Sequence, residues 1–171
     1  MYEVSQILVA LADLVYVVSM FTKNKKWLLF LLIVSDVLFG LHFFFLKAFT
    51  GGFMLVADIV FLIIAYILNE KYKDKQMYTL GVVFAFVAFV ITIFTWVNLT
   101  SLFPLLGMAI YFVTMGKNNL FENKIGCGAR NFFNIIYMLL ISSRLGWILE
   151  TVLFLSAIIG GIANKKQKER E

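Results

Sequence analysis

The sequence has little of what disulfide-linked domains, metalloproteins and most enzymes are built from. Its 171 residues include one cysteine, one proline and one histidine, and only 15% of them are charged. A single cysteine excludes an intramolecular disulfide. His42 has no acid three or four residues away, so no metal site and no cofactor are predicted. No nucleophile elbow, phosphate loop or acid–base pair at a recognised spacing is present, so the sequence does not predict an enzyme.

What the chain has in excess is apolar side chains. They make up 62% of the residues, and the mean hydropathy is +0.92. A soluble domain is about 45–50% apolar, so this excess indicates that lipid solvates the chain. The net charge is +5, but no basic patch interleaved with aromatic residues accompanies it. Nucleic acid is therefore not a predicted partner, whereas membrane lipids are.

The positions of the 15 lysines and arginines predict the topology. If the hydrophobic runs are seven spans with the N-terminus outside, two of these residues, Lys47 and Arg144, fall outside and thirteen fall inside. The thirteen are Lys23, Lys25, Lys26, Lys71, Lys73, Lys75, Lys117, Lys124, Arg130, Lys165, Lys166, Lys168 and Arg170. Positive charge concentrated in cytoplasmic loops is typical of integral membrane proteins. The pattern predicts an all-α integral membrane protein with seven transmembrane helices, N-out and C-in.

The hydrophobic runs also give the approximate limits of the spans. The predicted spans are 5–21, 27–46, 52–68, 77–95, 101–115, 129–142 and 146–163. Several are shorter than the roughly 20 residues that a straight helix needs to cross hydrocarbon. The sixth is expected to start after the glycine-rich segment 126–128, which is polar and breakable.

A weak internal repeat relates the first three spans to the last three at an offset of 95 residues. It places Asp36 opposite Asn131 and His42 opposite Tyr137, and the other matched pairs are Ala12 with Gly107, Tyr16 with Tyr111 and Ser19 with Thr114. Both triplets start outside, which predicts parallel repeats joined by an inverting linker helix. This is the three-plus-one-plus-three plan of the SWEET transporters. The single membrane domain 1–171 would then comprise repeat one (5–70), the linker helix (76–96) and repeat two (100–164).

Two segments carry a resemblance to a known family. The first is 40–46 (Gly-Leu-His-Phe-Phe-Phe-Leu), and the second is 102–107 (Leu-Phe-Pro-Leu-Leu-Gly), followed by Arg130, Ser143, Gly146 and Glu150. Their spacing along the chain resembles that of the YgjV family of small bacterial inner-membrane proteins. The resemblance implies an inner-membrane location and six to seven spans. Family members tend to carry an arginine in the third span, where this chain has Asp58.

Ionisable residues within the spans are the sharpest functional signal, because each costs roughly 2.5–3.5 kcal/mol at mid-bilayer. The proposed substrate or proton site comprises Asp13, Asp36, Asp58, Arg130, Asn131 and Asn134. Three acids at comparable depth, one per helix, would keep at least one carboxyl protonated if they converge. Such a cluster suits a proton relay or an organic cation. The alternative is a structural role, in which these acids form hydrogen bonds that hold neighbouring helices together.

A second group lies nearer the predicted outer face. His42 and Glu150 each lie about one turn from an outer helix end, and Tyr137 is opposite His42 in the repeat. These three residues form a predicted outer gate, in which His42 donates to Glu150. The alternative is that His42 is an interfacial ring hydrogen-bonded to water.

The function that this pattern favours is a small-solute transporter. Its site would lie near the midplane between two triple-helix bundles, and its substrate would be a small polar or cationic metabolite, moved by facilitated diffusion or proton coupling. The alternative is a scaffold that binds another membrane protein or a lipid, with homo-oligomerisation left open. A transporter should have its acids at a polar cavity, whereas a scaffold should have a packed interior.

Overall fold

The computed structural model describes residues 2–45, 49–68, 74–96, 99–140 and 144–168. Within them the chain forms seven α-helices and one short 3-10 helix, Leu99–Ser101, and no strand. The α-helices are α1 (Tyr2–Met20), α2 (Lys25–Phe45), α3 (Phe49–Leu68), α4 (Asp74–Phe94), α5 (Leu102–Met115), α6 (Leu120–Leu140) and α7 (Arg144–Lys168). Four of the residues that contribute to the predicted charge asymmetry lie outside the described residues: Lys47, Lys71, Lys73 and Arg170.

Six of the seven helices match the predicted spans to within a few residues, but the predicted start of the sixth is wrong. α6 begins at Leu120, nine residues before the predicted boundary, and runs through the glycine-rich segment without a break. Its N-terminus is capped by Asn119, whose side-chain oxygen accepts the backbone N–H of Phe121 at 3.1 Å. The glycines serve close packing instead, since a Cβ on Gly126 would collide with the Thr114 side chain on α5.

The helices pack in chain order around a closed ring. Each helix contacts the next along the sequence, and α7 contacts α1. Short connections make successive helices antiparallel. The ends of α1, α5 and α7 therefore lie beside the starts of α2 and α6, and we call this end of the molecule the lysine-rich end.

Hydrogen bonds across the ring hold the lysine-rich end together. The Lys124 ammonium on α6 donates to the Thr22 carbonyl after α1 at 2.7 Å, and Asn164 on α7 donates to the same carbonyl at 3.0 Å. The Lys25 ammonium at the start of α2 donates to the Lys117 carbonyl after α5 at 2.7 Å. These bonds tie both halves of the chain into one bundle.

The apolar packing supports a membrane location. An aromatic cluster of Phe61, Phe84 and Phe112 joins α3, α4 and α5, with ring centroids 4.9–5.8 Å apart. Elsewhere large apolar side chains cover the outside of the helices, α4 most of all, with Phe86 65% and Phe94 84% exposed. Two stretches of the described helices, Lys75–Phe94 and Gly146–Lys166, are long and apolar enough to cross a membrane, and three shorter apolar helices accompany them.

Candidate functional site

The polar residues of the interior are organised by α6, the least apolar helix of the first six. Its buried face carries Asn123, Lys124, Arg130 and Asn131. From that face side chains reach the α1–α2 loop, α1 and α3. Polar side chains on a buried helix face need hydrogen-bond or charge partners on the neighbouring helices. The site is therefore built around α6.

The centre of the site is an ion pair between Arg130 on α6 and Asp58 on α3. The guanidinium Nη1 lies 2.7 Å from the Asp58 carboxylate, and the side chains are 9% and 0% exposed. Arg130 lies ten residues into α6, about 15 Å from its start. Arg130 is counted above among the thirteen charges on the inner side, but it lies within α6 rather than in a loop, because that helix starts earlier than the composition indicates.

Two fully buried tyrosines flank the guanidinium. The Arg130 carbon Cζ lies 4.7 Å from the ring centroid of Tyr111 on α5 and 5.7 Å from that of Tyr16 on α1. The Tyr16 hydroxyl accepts a hydrogen bond from Asn131 at 2.8 Å. The rings thus supply cation–π contacts that partly replace the water lost by the buried charge.

Asp36 on α2 completes this group, which we call the arginine cluster: Tyr16, Asp36, Asp58, Tyr111, Arg130 and Asn131. Asp36 is fully buried, and no donor among the described residues reaches either of its carboxyl oxygens with good geometry. It interacts electrostatically with the Asp58 carboxyl and with Arg130. Two carboxyls can hydrogen-bond to each other only when one of them carries a proton. A proton on Asp36 or Asp58 would therefore be needed for these two side chains to bond to each other.

A second pair of acids lies on the side of the cluster away from the lysine-rich end. Glu150 on α7 accepts a hydrogen bond from Asn134 on α6 at 3.2 Å, and it interacts electrostatically with Asp13 on α1 and with Arg130. Asp13 is three residues before Tyr16, and Asn134 is four after Arg130, so both are about one turn beyond the cluster. We call Asp13 and Glu150 the outer acids.

The unmet hydrogen-bonding capacity of this interior is almost entirely acceptor capacity. The buried side-chain atoms without a described partner in the two groups are Asp13 Oδ1 and Oδ2, Asp36 Oδ1 and Oδ2, Asp58 Oδ1, Glu150 Oε2 and Tyr111 Oη. Three of the four carboxyls, those of Asp36, Asp58 and Glu150, interact electrostatically with the one guanidinium. Protons or a donor-bearing cation would satisfy these oxygens, whereas an anion would add to the excess negative charge.

The structure brings all six predicted midplane residues into or beside one polar region. Asp36, Asp58, Arg130 and Asn131 lie in the arginine cluster, while Asp13 and Asn134 lie beside it with Glu150. Tyr16 and Tyr111 are not among the predicted site residues, although the internal repeat of the sequence pairs them with each other.

The three residues of the predicted outer gate lie on three helices, Glu150 on α7, His42 on α2 and Tyr137 on α6. Glu150 accepts a hydrogen bond from Asn134 on α6 and interacts electrostatically with Asp13 on α1. His42 and Tyr137 are half-buried. The pairing of Glu150 with His42 stays a prediction.

In the described residues, seven antiparallel helices with apolar outer surfaces enclose a charged, buried centre, an arrangement consistent with a multi-pass integral membrane protein. The comparison with protein families agrees, because the model of a family described as a bacterial inner membrane protein, Imp-YgjV, matches residues 3–168. The chain belongs to the YgjV family of bacterial inner membrane proteins. No curated protein and no solved structure matches the chain.

Proposed function

We propose that this protein is a small-solute transporter whose site is the arginine cluster together with the outer acids. The observation that carries the proposal is the excess of buried carboxylate oxygens around a single guanidinium. Buried carboxyls without donors are costly if their only role is to hold the helices together. Polar groups stabilise helix contacts when their hydrogen bonds are satisfied. The same excess suits a proton and a small organic cation, with proton coupling or facilitated diffusion as the mode of movement.

The proposed architecture is the parallel repeat, with repeat one at 5–70, the linker helix at 76–96 and repeat two at 100–164. Contacts at positions 95 residues apart support it. Ser19 donates to the Tyr16 carbonyl at 2.6 Å, and Thr114 donates to the Tyr111 carbonyl at 2.9 Å.

The helix starts support the same repeat. The Asn24 side chain accepts the Lys26 N–H at 2.7 Å, as Asn119 accepts that of Phe121. The residue pairs that suggest the repeat in the sequence therefore also make matching local hydrogen bonds.

The proposed orientation places the lysine-rich end in the cytoplasm, because positive charge is retained on that side. The cross-ring bonds from Lys25 and Lys124 then close the cytoplasmic end of the site. A transport cycle requires these bonds to break while others form at the far end. We propose that His42, Glu150 and Tyr137 contribute to closure there.

A second candidate function is a non-transporting scaffold. It is favoured by the packing of the centre, where the Arg130 guanidinium and the Asp58 carboxylate are in direct contact. Neither candidate requires catalysis, so we propose no enzymatic role.

The decisive experiment compares wild type with Asp36→Asn in proteoliposomes. Solute-driven pH change is recorded for a panel of amines, amino acids and neutral polar solutes. Asn keeps the size and hydrogen-bonding capacity of Asp but cannot share a titratable proton. We expect normal folding and loss of proton-linked or cation uptake. Ser35→Ala is the matched control, because it removes the buried hydrogen bond to the Ala12 carbonyl beside Asp36 without touching a charge.

The outcomes separate the two candidates. Undiminished transport by Asp36→Asn contradicts the assignment of the site. If no solute in the panel moves through or thermally stabilises the wild-type protein, the scaffold becomes the leading function.

A further inference from the structure

Three acceptor groups of the arginine cluster share one property. Each is fully buried, and each has an oxygen without a hydrogen-bond partner among the described residues. They are the Asp36 carboxyl on α2, the Asp58 carboxyl on α3 and the Tyr111 hydroxyl on α5. Tyr111 interacts electrostatically with both acids, and the two acids interact with each other. Side chains from three helices therefore converge on one region of the interior.

The Tyr111 hydroxyl differs from that of Tyr16, its counterpart in the proposed repeat. Both rings contact the Arg130 guanidinium. The Tyr16 hydroxyl accepts an N–H of Asn131 at 2.8 Å. At an offset of 95 residues the same pairing joins Tyr111 to Asp36. An amide can donate to a tyrosine oxygen, but an ionised carboxyl has no hydrogen to donate. One half of the repeat therefore supplies its own N–H donor, and the other half does not.

The charges of the cluster select a monovalent cation. With both carboxyls ionised, the two acids and the one guanidinium leave a single negative charge. The described hydrogen bond from Arg130 reaches only the Oδ2 oxygen of Asp58, so Asp58 Oδ1 and both oxygens of Asp36 can accept bonds from a second cation. A buried charge is costly unless it is paired. One bound monovalent cation would neutralise the cluster.

The kind of acceptor favours a primary ammonium among monovalent cations. A primary ammonium group carries three N–H donors, and two carboxyls and one hydroxyl are there to accept them. A quaternary ammonium has no N–H and would leave the same oxygens without donors. Quaternary ammonium ligands are bound instead by the faces of aromatic rings, and the two tyrosine rings of the cluster already contact Arg130.

We propose that the arginine cluster binds the primary ammonium group of its substrate through the Asp36 carboxylate, Asp58 Oδ1 and Tyr111 Oη. This inference rests on the proposed transport function and names its substrate class, a small primary amine. The bound ammonium supplies N–H donors in the half of the cluster where no amide supplies them.

The test measures how strongly a methylation series stabilises the full-length protein in detergent. Methylamine, dimethylamine, trimethylamine and tetramethylammonium chlorides are titrated at neutral pH and constant ionic strength, and the rise in unfolding temperature gives apparent dissociation constants. We expect the affinity to fall as methyl groups replace N–H groups. Tetramethylammonium should bind at least about tenfold more weakly than methylamine, the effect of losing hydrogen bonds between charged groups.

Two variants test the named contacts. Tyr111→Phe keeps the ring beside Arg130 but removes the hydroxyl, so the affinity for methylamine should fall about tenfold. Asp36→Asn should abolish stabilisation by methylamine, because it removes the negative charge that the ammonium neutralises. This variant should stay folded, since its amide can donate to the Tyr111 hydroxyl as the Asn131 amide donates to Tyr16.

The matched control is Tyr66→Phe. It also removes a tyrosine hydroxyl, but Tyr66 lies near the end of α3, beside Lys26 at the lysine-rich end and outside the arginine cluster. The affinity of this variant for methylamine should equal that of the wild type.

Several results would overturn the primary-ammonium site. Equal stabilisation by all four compounds, or stronger stabilisation by tetramethylammonium, would do so without any variant, even if Tyr111→Phe fails to fold. An unchanged methylamine affinity in Tyr111→Phe, or an equal loss in Tyr111→Phe and Tyr66→Phe, would also overturn it. If no member of the series stabilises the wild type, the inference fails. The transport proposal is decided separately, by the proteoliposome comparison with neutral as well as cationic solutes.

Discussion

The lysine-rich end and the arginine cluster are both buried and polar, but they are satisfied in opposite ways. At the lysine-rich end, the cations of Lys25 and Lys124 donate to backbone carbonyls at 2.7 Å. In the arginine cluster, both oxygens of Asp36 and one of Asp58 lack a described donor. Satisfied hydrogen bonds suit a region that holds helices together, whereas acceptors without donors suit a region that binds a proton or a cation. The difference supports our proposal that one region closes the site and the other exchanges a proton or cation.

The largest expected effect is at the ion pair. Arg130→Gln leaves the Asp58 carboxylate buried without its counter-ion, and breaking a buried pair on one side costs about 3–5 kcal/mol. We expect a strongly lowered unfolding temperature in detergent. The double variant Arg130→Gln/Asp58→Asn removes both charges and should recover much of the loss. If the double variant is as unstable as the sum of the two single variants, the pair is not a coupled unit.

A smaller loss of stability is expected at the lysine-rich end. Lys124→Met removes the ammonium that bonds the Thr22 carbonyl, but the stem stays packed and Asn164 still donates to that carbonyl. We expect a cost of about 1–2 kcal/mol in unfolding free energy. The control Lys165→Met changes an exposed lysine on α7 and should be neutral.

This variant also sharpens the comparison between the two regions. If the lysine-rich end closes the site but does not titrate with it, Lys124→Met should leave unchanged the pH at which proton-linked transport is half-maximal. A shift in that pH would contradict the separation of the two regions, because it would tie Lys124 to the titrating site.

The sequence predicts the membrane class, the helix number and the polar positions because each follows from local composition. Spans are hydrophobic runs, and Asp36 and Asp58 stand out within them at high cost. The partner of Asp58 could not be found this way. Arg130 is 72 residues further along the chain, and no pattern within either helix carries that pairing.

The wrong start of α6 has a physical cause as well. Lys124 and the glycines at 126 and 128 resemble a loop by composition, and hydropathy assigns them to water. Their partners come from elsewhere in the fold: the Thr22 carbonyl for Lys124, and the Thr114 side chain against Gly126. Composition cannot report such partners, so tertiary contacts override the local prediction.

The smallest expected effect concerns an exposed pair at the lysine-rich end, outside the spans. The pKa of Lys117 is raised above its ordinary 10.5 by its hydrogen bond to Glu122 and by the charge of that carboxylate. A raised pKa in the folded protein means that the pair stabilises it fully below the unfolded pKa. That stabilisation is lost as the pH rises through the folded value. We expect the unfolding temperature of wild type to fall slightly more than that of Glu122→Gln between pH 9.5 and 11.5, by a difference that 0.5 M salt reduces. The same difference with and without 0.5 M salt would mean that the Lys117–Glu122 pair behaves as a buried interaction. That result would weaken the contrast between this exposed pair and the buried hydrogen bonds of Lys25 and Lys124.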